Sequence, residues 1–290
     1  MAITNEMIKN LRDRTGAGMM DCKRALEASD GNAEAAIEYL RKKGAAVASK
    51  RAERSAKEGV IVTRVSTDGR IGVIVEVNSE TDFVGRSEDF VGFAQVVAEA
   101  LERHRPATID ELHQKATPSG KKITDLLNDL LAKVGEKIGV RRFQVIESES
   151  GAVSAYTHLG SKIGVLAELT GIDGGTAQSG VGRDIAMQIA AMNPMVITRG
   201  EVDKAMVERE LDIYRTQAKN EGKPAQIVDR IATGKLEKFY QEVCLMEQTF
   251  IKDPGKTIKD YLQDVGAAAG KPVSVILFTR FHLGEEGPAS

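Results

Sequence analysis

Arg70-Ile71-Gly72-Val73-Ile74-Val75-Glu76-Val77 recurs as Lys162-Ile163-Gly164-Val165-Leu166-Ala167-Glu168-Leu169, with Ile71 and Ile163 92 positions apart. Around the first copy, Val60 to Val65, the Asp68-Gly69 turn signal and Ile71 to Val77 read as a β-hairpin. Its central Val73-Ile74-Val75 lacks strict alternation, which predicts a strand covered on both faces. Ser87 can cap a helix whose apolar positions are Phe90, Phe93, Ala94, Val97, Ala98 and Leu101, spaced to cover one face of a sheet. The same order restarts at Gly151, again 92 positions after Gly59, with Val153 to Tyr156, Ile163 to Leu169, and a helix through Val181, Ile185, Ile189 and Met192 that ends at Asn193-Pro194. Matching elements at a constant offset predict a duplicated α+β unit with antiparallel sheets. Between the copies, His104 to Lys122, with Pro106 and Pro118, reads as loop-rich, and a helix through Leu126, Leu127, Leu130, Leu131 and Val134 leads to the strand Arg142-Phe143-Gln144-Val145-Ile146.

The copies diverge after their shared strand. The first continues Asn78-Ser79-Glu80-Thr81-Asp82-Phe83-Val84-Gly85-Arg86, the second into Gly171-Ile172-Asp173-Gly174-Gly175. Aromatic residues make up 4% of the chain and Trp is absent, so a Phe on a polar segment stands out. Two readings are open on the residues alone: Phe83 packs back onto its own helix, or it is offered to a partner.

Residues 1–45 read as a small three-helix module. Met7, Ile8 and Leu11 give one stripe, Gly16-Ala17-Gly18 interrupts it, Met19, Cys22, Ala25 and Leu26 resume it as core, and Ala33, Ala36, Ile37 and Leu40 form a third stripe stopping at Gly44. Residues 46–58, with Lys50, Arg51, Arg54 and Lys57, read as a basic linker helix. Residues 59–147 form the first core subdomain and 148–290 the second, interrupted at about 200–241 by two charged helical stretches joined at Gly222-Lys223-Pro224. These predict a protruding antiparallel helical hairpin with arms about 30 Å long. The chain then returns to sheet at Glu242 to Met246, to a helix at Ile258 to Val265, and to a strand over Val273 to Phe281.

At 290 residues, with 42% hydrophobic and 28% charged residues, the chain has the composition of a soluble protein of two or three domains. A net charge of −2 provides no global pull toward nucleic acid or an anionic membrane, and no apolar run approaches a membrane span. Cys22 and Cys244 stand far apart with no CxxC pattern, which predicts reduced thiols and cytoplasmic residence. His104, His113, His158 and His282 show no metal-ligand spacing, and no nucleophile motif marks an active site. Gly175 to Gly182 has phosphate-loop glycine spacing but lacks the Lys-Ser/Thr pair, and reads as a flexible turn. Gly16-Ala17-Gly18 lacks the preceding strand of a dinucleotide site. A protein without covalent chemistry, cofactor or metal is expected.

Thr15-Gly16-Ala17-Gly18-Met19-Met20-Asp21-Cys22-Lys23-Arg24-Ala25-Leu26, followed by Gly31-Asn32 and Ala36-Ile37, resembles the amino-terminal signature of bacterial elongation factor Ts. Glu76-Val77-Asn78 with Thr81-Asp82-Phe83-Val84 resembles its second signature, and Asp184-Ile185-Ala186-Met187-Gln188-Ile189-Ala190-Ala191 and the Gly222-Lys223-Pro224 turn also fit. The resemblance implies a guanine nucleotide exchange factor for elongation factor Tu, with a module like a ubiquitin-associated domain, a two-part α+β core and a coiled-coil hairpin. It assigns Thr81, Asp82, Phe83 and Val84 to the disturbance of the partner's magnesium site, and Arg12, Met19, Met20, Lys23, Met187 and Gln188 to further partner contacts. A His commonly stands in the family where this chain has Gln188, and only Leu283 to Ser290 follow the last expected strand, where some members carry another helix. A homodimer or a 2:2 complex stays open. The competing reading is a ribosome- or RNA-binding accessory protein using the basic stretch around Lys50 to Lys57.

Overall fold

The structure is a computed structural model that describes residues 3–50, 54–178 and 180–285. Helix α1 (Asn5–Thr15) begins where the Thr4 hydroxyl accepts the Met7 amide at 3.2 Å and ends at Gly16 with φ 68°. With α2 (Met19–Ala28) and α3 (Ala33–Lys50) it encloses a small core of Ile8, Leu11, Ala17, Cys22, Ala25, Leu26, Ala36 and Leu40. Met19, expected in that core, is 48% exposed: it opens α2, and Ala17 occupies the interior beside it.

Strands β1 (Glu58–Val65) and β2 (Ile71–Ser79) form the expected hairpin. A single turn, α4 (Asp82–Gly85), precedes α5 (Glu88–His104). Helices α6 (Ile109–Gln114) and α7 (Ile123–Val134) lead to β3 (Ile138–Glu147), which completes an antiparallel sheet in the order β1-β2-β3. Val73, Val75 and Val77 of β2 face Phe90, Ala94, Val97 and Leu101 of α5, while Ile74 joins a second cluster on the opposite face. That is the two-sided burial expected of a strand without alternation. Helix α6 lies within a segment read as loop-rich. Thr108 accepts the Glu111 amide at 3.2 Å and Glu111 accepts the Ala107 amide at 2.9 Å, a start signal overshadowed by the flanking prolines.

Helix α3 does not stop at Gly44. It crosses α7 there, where a Cβ on Gly44 would lie 2.7 Å from the Asn128 carbonyl oxygen, so the glycine permits a close helix crossing instead of ending a helix. Arg41 fixes the same contact by an ion pair to Asp129 at 2.9 Å. Of the expected linker helix, residues 46–50 belong to α3, 54–57 are not helical, and 51–53 lie outside the described residues.

In the second half, β4 (Ala152–Thr157) and β5 (Ile163–Thr170) pair, followed by α8 (Gly174–Gln178) and α9 (Val181–Met192). Helix α8 occupies the start of the glycine-rich stretch read as a flexible turn; Asp173 caps it by accepting the Thr176 amide at 2.8 Å, and Ala177 is buried. Helices α10 (Lys204–Asn220) and α11 (Ala225–Val243) pack antiparallel along Ala218, Val228, Ala232 and Leu236. Arg215–Asp229 at 2.8 Å links them across the seam. The strand expected at 242–246 is absent: α11 runs to Val243, a 3₁₀ turn spans Leu245–Glu247, and Cys244 makes an isolated bridge to Val196. The apolar residues there are recruited to burial, with Leu245 in the second core, and not to a ladder. Strands β6 (Thr249–Phe250) and β7 (Asp253–Thr257), helix α12 (Ile258–Ala269) and strand β8 (Ser274–His282) complete the chain, with the sheet order β4-β5-β8.

The duplication extends further than the 92-residue offset. Gly120-Lys121-Lys122-Ile123-Thr124-Asp125-Leu126-Leu127 and Gly255-Lys256-Thr257-Ile258-Lys259-Asp260-Tyr261-Leu262 are 135 positions apart and start equivalent helices α7 and α12. Lys121–Asp129 at 2.9 Å and Lys256–Asp264 at 2.7 Å are the same ion pair in each copy. The third strands break register at equivalent places, opposite Glu76/Val77 and Glu168/Leu169. The larger offset has one cause: the α10–α11 hairpin is inserted between the two parts of the second copy.

The two sheets pack face to face about an approximate dyad. Ile61 N donates to Ser161 O at 2.7 Å, and its counterpart Val153 N donates to Gly69 O at 2.8 Å. At the contact, a Cβ on Gly72 would fall 2.3 Å from Val153 Cγ1, and one on Gly164 2.5 Å from Ile61 Cγ2. The glycine shared by the repeated octapeptides is therefore the point where each sheet admits the other. The result is an α+β fold of mixed helices and antiparallel sheets.

Candidate partner-binding site

Strand β2 leaves the core at Ser79, whose hydroxyl donates to Thr81 O at 2.9 Å. Thr81 is the cap of α4, with Val84 N directed at its Oγ1. Its amide donates to Glu136 Oε2 at 3.1 Å and its hydroxyl reaches the same carboxylate at 2.9 and 3.0 Å. Glu80 accepts the Lys137 amide at 2.7 Å and pairs with Arg54 at 3.2 Å. On the inner side, Gly85 lies so close to Gly59 that a Cβ on it would be 3.2 Å from the Gly59 Cα. A helix of four residues has no intrinsic persistence. Here it is clamped by the α7–β3 connection on one side and β1 on the other.

On this clamped turn Phe83 is 84% exposed, so it does not pack back onto its own helix. Val84 is half-buried against the first core. Asp82 pairs with Arg86 at 2.9 Å, one turn on, in a surface ion pair of small net energy that a competing partner can replace. The segment read as a loop is thus a short helix that orients a bare aromatic ring outward.

The neighbouring signature residues have internal duties. Glu76 is fully buried, paired with Arg142 at 2.8 Å and accepting the Asn78 side-chain amide at 3.1 Å and the Gly284 amide at 3.0 Å. Arg142 also lies over the Phe281 ring, 4.2 Å from its centroid. This cluster fastens the end of the chain to the strand that launches α4. Gln188, expected as a partner contact, is fully buried: its Nε2 donates to Gln248 Oε1 and Thr249 O at 3.2 and 3.1 Å, and its Oε1 accepts the Ile251 amide at 2.9 Å. With no free surface and its polar atoms engaged, it secures residues 248–251 to α9 instead. Asp184 fastens α12 to α9, accepting the Tyr261 hydroxyl at 2.9 Å; burial and this bond push the Tyr261 pKa upward. Met187 is half-buried on α9.

Arg12, Met19, Met20 and Lys23 are all exposed on the amino-terminal module, Met20 at 62%. Arg12 lies on α1, and Met19, Met20 and Lys23 lie on α2. Sequence reasoning missed Glu136 altogether. Its only signal is its place just after the Gly135 helix stop, and its partner Thr81 is 55 positions away.

Among the described residues no group of three or more His, Cys, Asp or Glu is placed to hold a metal ion. Nor is any helix among them long and apolar enough to cross a membrane. A cleft of about 970 Å³ is lined by residues of α1, α3, α5 and α7, with Arg41, Asp89, Asp129 and Lys133 along it, and Phe83 does not line it. The feature that distinguishes this surface is a projection, not a cavity.

A family model described as "Elongation factor TS" matches residues 80–285. The chain is 45% identical to elongation factor Ts of Clostridium perfringens (strain SM101 / Type A) over 98% of its length and 93% of the relative's. It is 43% identical to elongation factor Ts of Chlorobium phaeobacteroides (strain BS1), over 97% and 99% of the two chains. With the same factor of Chloroherpeton thalassium (strain ATCC 35110 / GB-78) it shares 42% identity over 98% and 99%. These matches place the chain among the translation elongation factors. More narrowly, it belongs to the elongation factor Ts family.

Proposed function

We propose that this chain is a guanine nucleotide exchange factor that binds elongation factor Tu carrying GDP and promotes GDP release by disturbing the magnesium and phosphate site. The observation that carries the reading is Phe83, exposed on a turn braced by Glu136 and β1. A GTPase holds GDP through backbone amides around the phosphates and through Mg²⁺, whose octahedral coordination tolerates little distortion. Burying the Phe83 ring between elements of the partner supplies about 2 kcal/mol. A ring delivered from a rigid platform directs that energy into displacing the partner instead of ordering its own segment. Asp82 orients the turn through Arg86 and, when that pair opens, competes for hydrogen bonds of the partner.

Binding of the factor and of GDP must weaken each other by the same factor, so incoming nucleotide ejects the exchange factor and the cycle repeats without covalent chemistry. Thr81 and Val84 act by holding the turn, and Gln188 by holding the segment beside α9. Arg12, Met19, Met20 and Lys23 provide a second docking patch on a module of the ubiquitin-associated type. The α10–α11 hairpin, of coiled-coil character, serves as a contact arm or as the dimerising element of a 2:2 complex; gel filtration of the chain lacking residues 204–243 distinguishes these. The central test is release of fluorescent GDP from elongation factor Tu. Phe83→Ala should slow it at least tenfold, and an unchanged rate would refute the wedge.

A further inference from the structure

The approximate dyad that relates the two sheets makes opposite edges of the core comparable, and they are not alike. On one edge the tip of the first hairpin meets the segment after β5: a Cβ on Gly69 would lie 2.5 Å from the Gly174 Cα, and one on Gly174 2.6 Å from Asp68 O. That edge is closed by backbone contact and carries the polar Thr67 and Asp68. The opposite edge holds the equivalents of both partners. Gly174 and Gly175 correspond to Asp82 and Phe83 at the 92-residue offset, and Thr67 corresponds to Leu159 at the tip of the second hairpin.

Leu159 is 91% exposed and Phe83 84%, the two most exposed large hydrophobic side chains among the described residues. A single exposed Leu is ordinary. Two such side chains on the same edge, where the duplicated edge carries Thr and Gly at the same positions, are not an effect of the scaffold. The second hairpin tip is also attached to the platform of α4: Ser161 O accepts the Ile61 amide at 2.7 Å, and Lys162 pairs with Glu58 at 3.5 Å, Glu58 being opposite Ser79 in the ladder. The tip is ordered by its own bonds, Ser161 N to His158 O at 3.0 Å and His158 N to Ile163 O at 2.9 Å. The Tyr156 hydroxyl holds His158 Nδ1 at 3.0 Å. Gly160 at φ 85° and Ser161 at φ 54° supply the left-handed residues that the turn requires.

We propose that Leu159 is a second apolar prong, seating in a hydrophobic depression on the same GTPase that receives Phe83 and setting the docking angle at which the ring enters. The inference rests on the exchange reading and adds a contact to it. Phe83 acts on the nucleotide site, so its loss should lower kcat; Leu159 contributes the same contact whether or not nucleotide is bound, so its loss should raise KM.

The test is GDP release from elongation factor Tu at varied concentrations of the full chain, comparing Leu159→Ser, Leu159→Met, Thr67→Leu and Phe83→Ala. Leu159→Ser should raise KM roughly tenfold with kcat little changed, as for loss of one apolar anchor. Leu159→Met, which keeps the apolar volume, should stay within twofold of the parent, and so should Thr67→Leu on the opposite edge. If Leu159→Ser is within twofold of the parent while Phe83→Ala is impaired, the second prong is refuted and the wedge stands. If both are within twofold, the wedge and the prong fall together. Thermal melting of Leu159→Ser should match the parent because the side chain touches little of its own fold, and a lowered melting temperature would reassign Leu159 to a structural role.

Discussion

Replacing Glu136 by Ala leaves Phe83 untouched and removes what aims it. The carboxylate accepts the Thr81 amide and receives its hydroxyl, at 2.9 to 3.1 Å, from a half-buried position. Hydrogen bonds to a charged acceptor contribute about 1.5–3 kcal/mol net. Partial exposure places this one toward the lower end, about 1.5–2 kcal/mol for the whole grip. Because a four-residue turn cannot sustain itself, that loss falls on the local order of α4, and each 1.4 kcal/mol is about a tenfold change in its ordered population. GDP release catalysed by Glu136→Ala should therefore slow by roughly ten- to thirtyfold, with global melting lowered by only a few degrees, as for a change of this size in one surface turn. Glu136→Gln keeps an acceptor and should lose less. Thr81→Val should give a similar defect alone and add little in the Glu136→Ala background, since the two side chains share one interaction. Stopped-flow release of fluorescent GDP measures all four. A rate for Glu136→Ala within twofold of the parent, or full additivity with Thr81→Val, would refute the claim that this carboxylate holds the turn.

Gly72→Val should destabilise the protein by about 1–3 kcal/mol, because even its Cβ would stand 2.3 Å from Val153 Cγ1 and the two sheets would have to separate. Gly92→Ala, in open space within α5, should be neutral or stabilise by up to about 1 kcal/mol, and urea melts of the pair check the contrast. Cys22 and Cys244 are both buried, and burial raises both thiol pKa values, that of Cys244 to about 11, so neither should react with a thiol reagent at pH 8 until denaturant is added. Between pH 9 and 11 the unfolded chain loses the Cys244 proton while the folded chain keeps it. Stability should therefore fall across that window, and Cys244→Ser should shallow the fall in alkaline melts.

How much of this was readable beforehand depended on how far apart the interacting residues are. The hairpins, the helix over Phe90 to Leu101 and the repeat itself follow from patterns within ten or twenty residues, and the structure has them where the pattern does. The errors occur where a local signal served a distant contact. Gly44 has the look of a helix stop and is a crossing glycine for α7. Glu242 to Met246 has strand composition, and its Leu245 and Met246 go to a core shared with α9 and α12. The second part of the duplication escaped notice because the inserted hairpin changes its offset.

That the chain is a duplicated α+β protein with an inserted helical hairpin, and that one copy alone carries Phe83, is written in the order of its residues, because side-chain periodicity and repeated wording are properties of neighbouring residues. That Phe83 projects and is braced by Glu136, that Gln188 is interior, and that Gly72 and Gly164 are where the sheets meet emerges from the folded chain alone. Each of these depends on which distant side chains occupy the same volume, and burial and hydrogen-bond partnership are settled by that proximity, which no local pattern records.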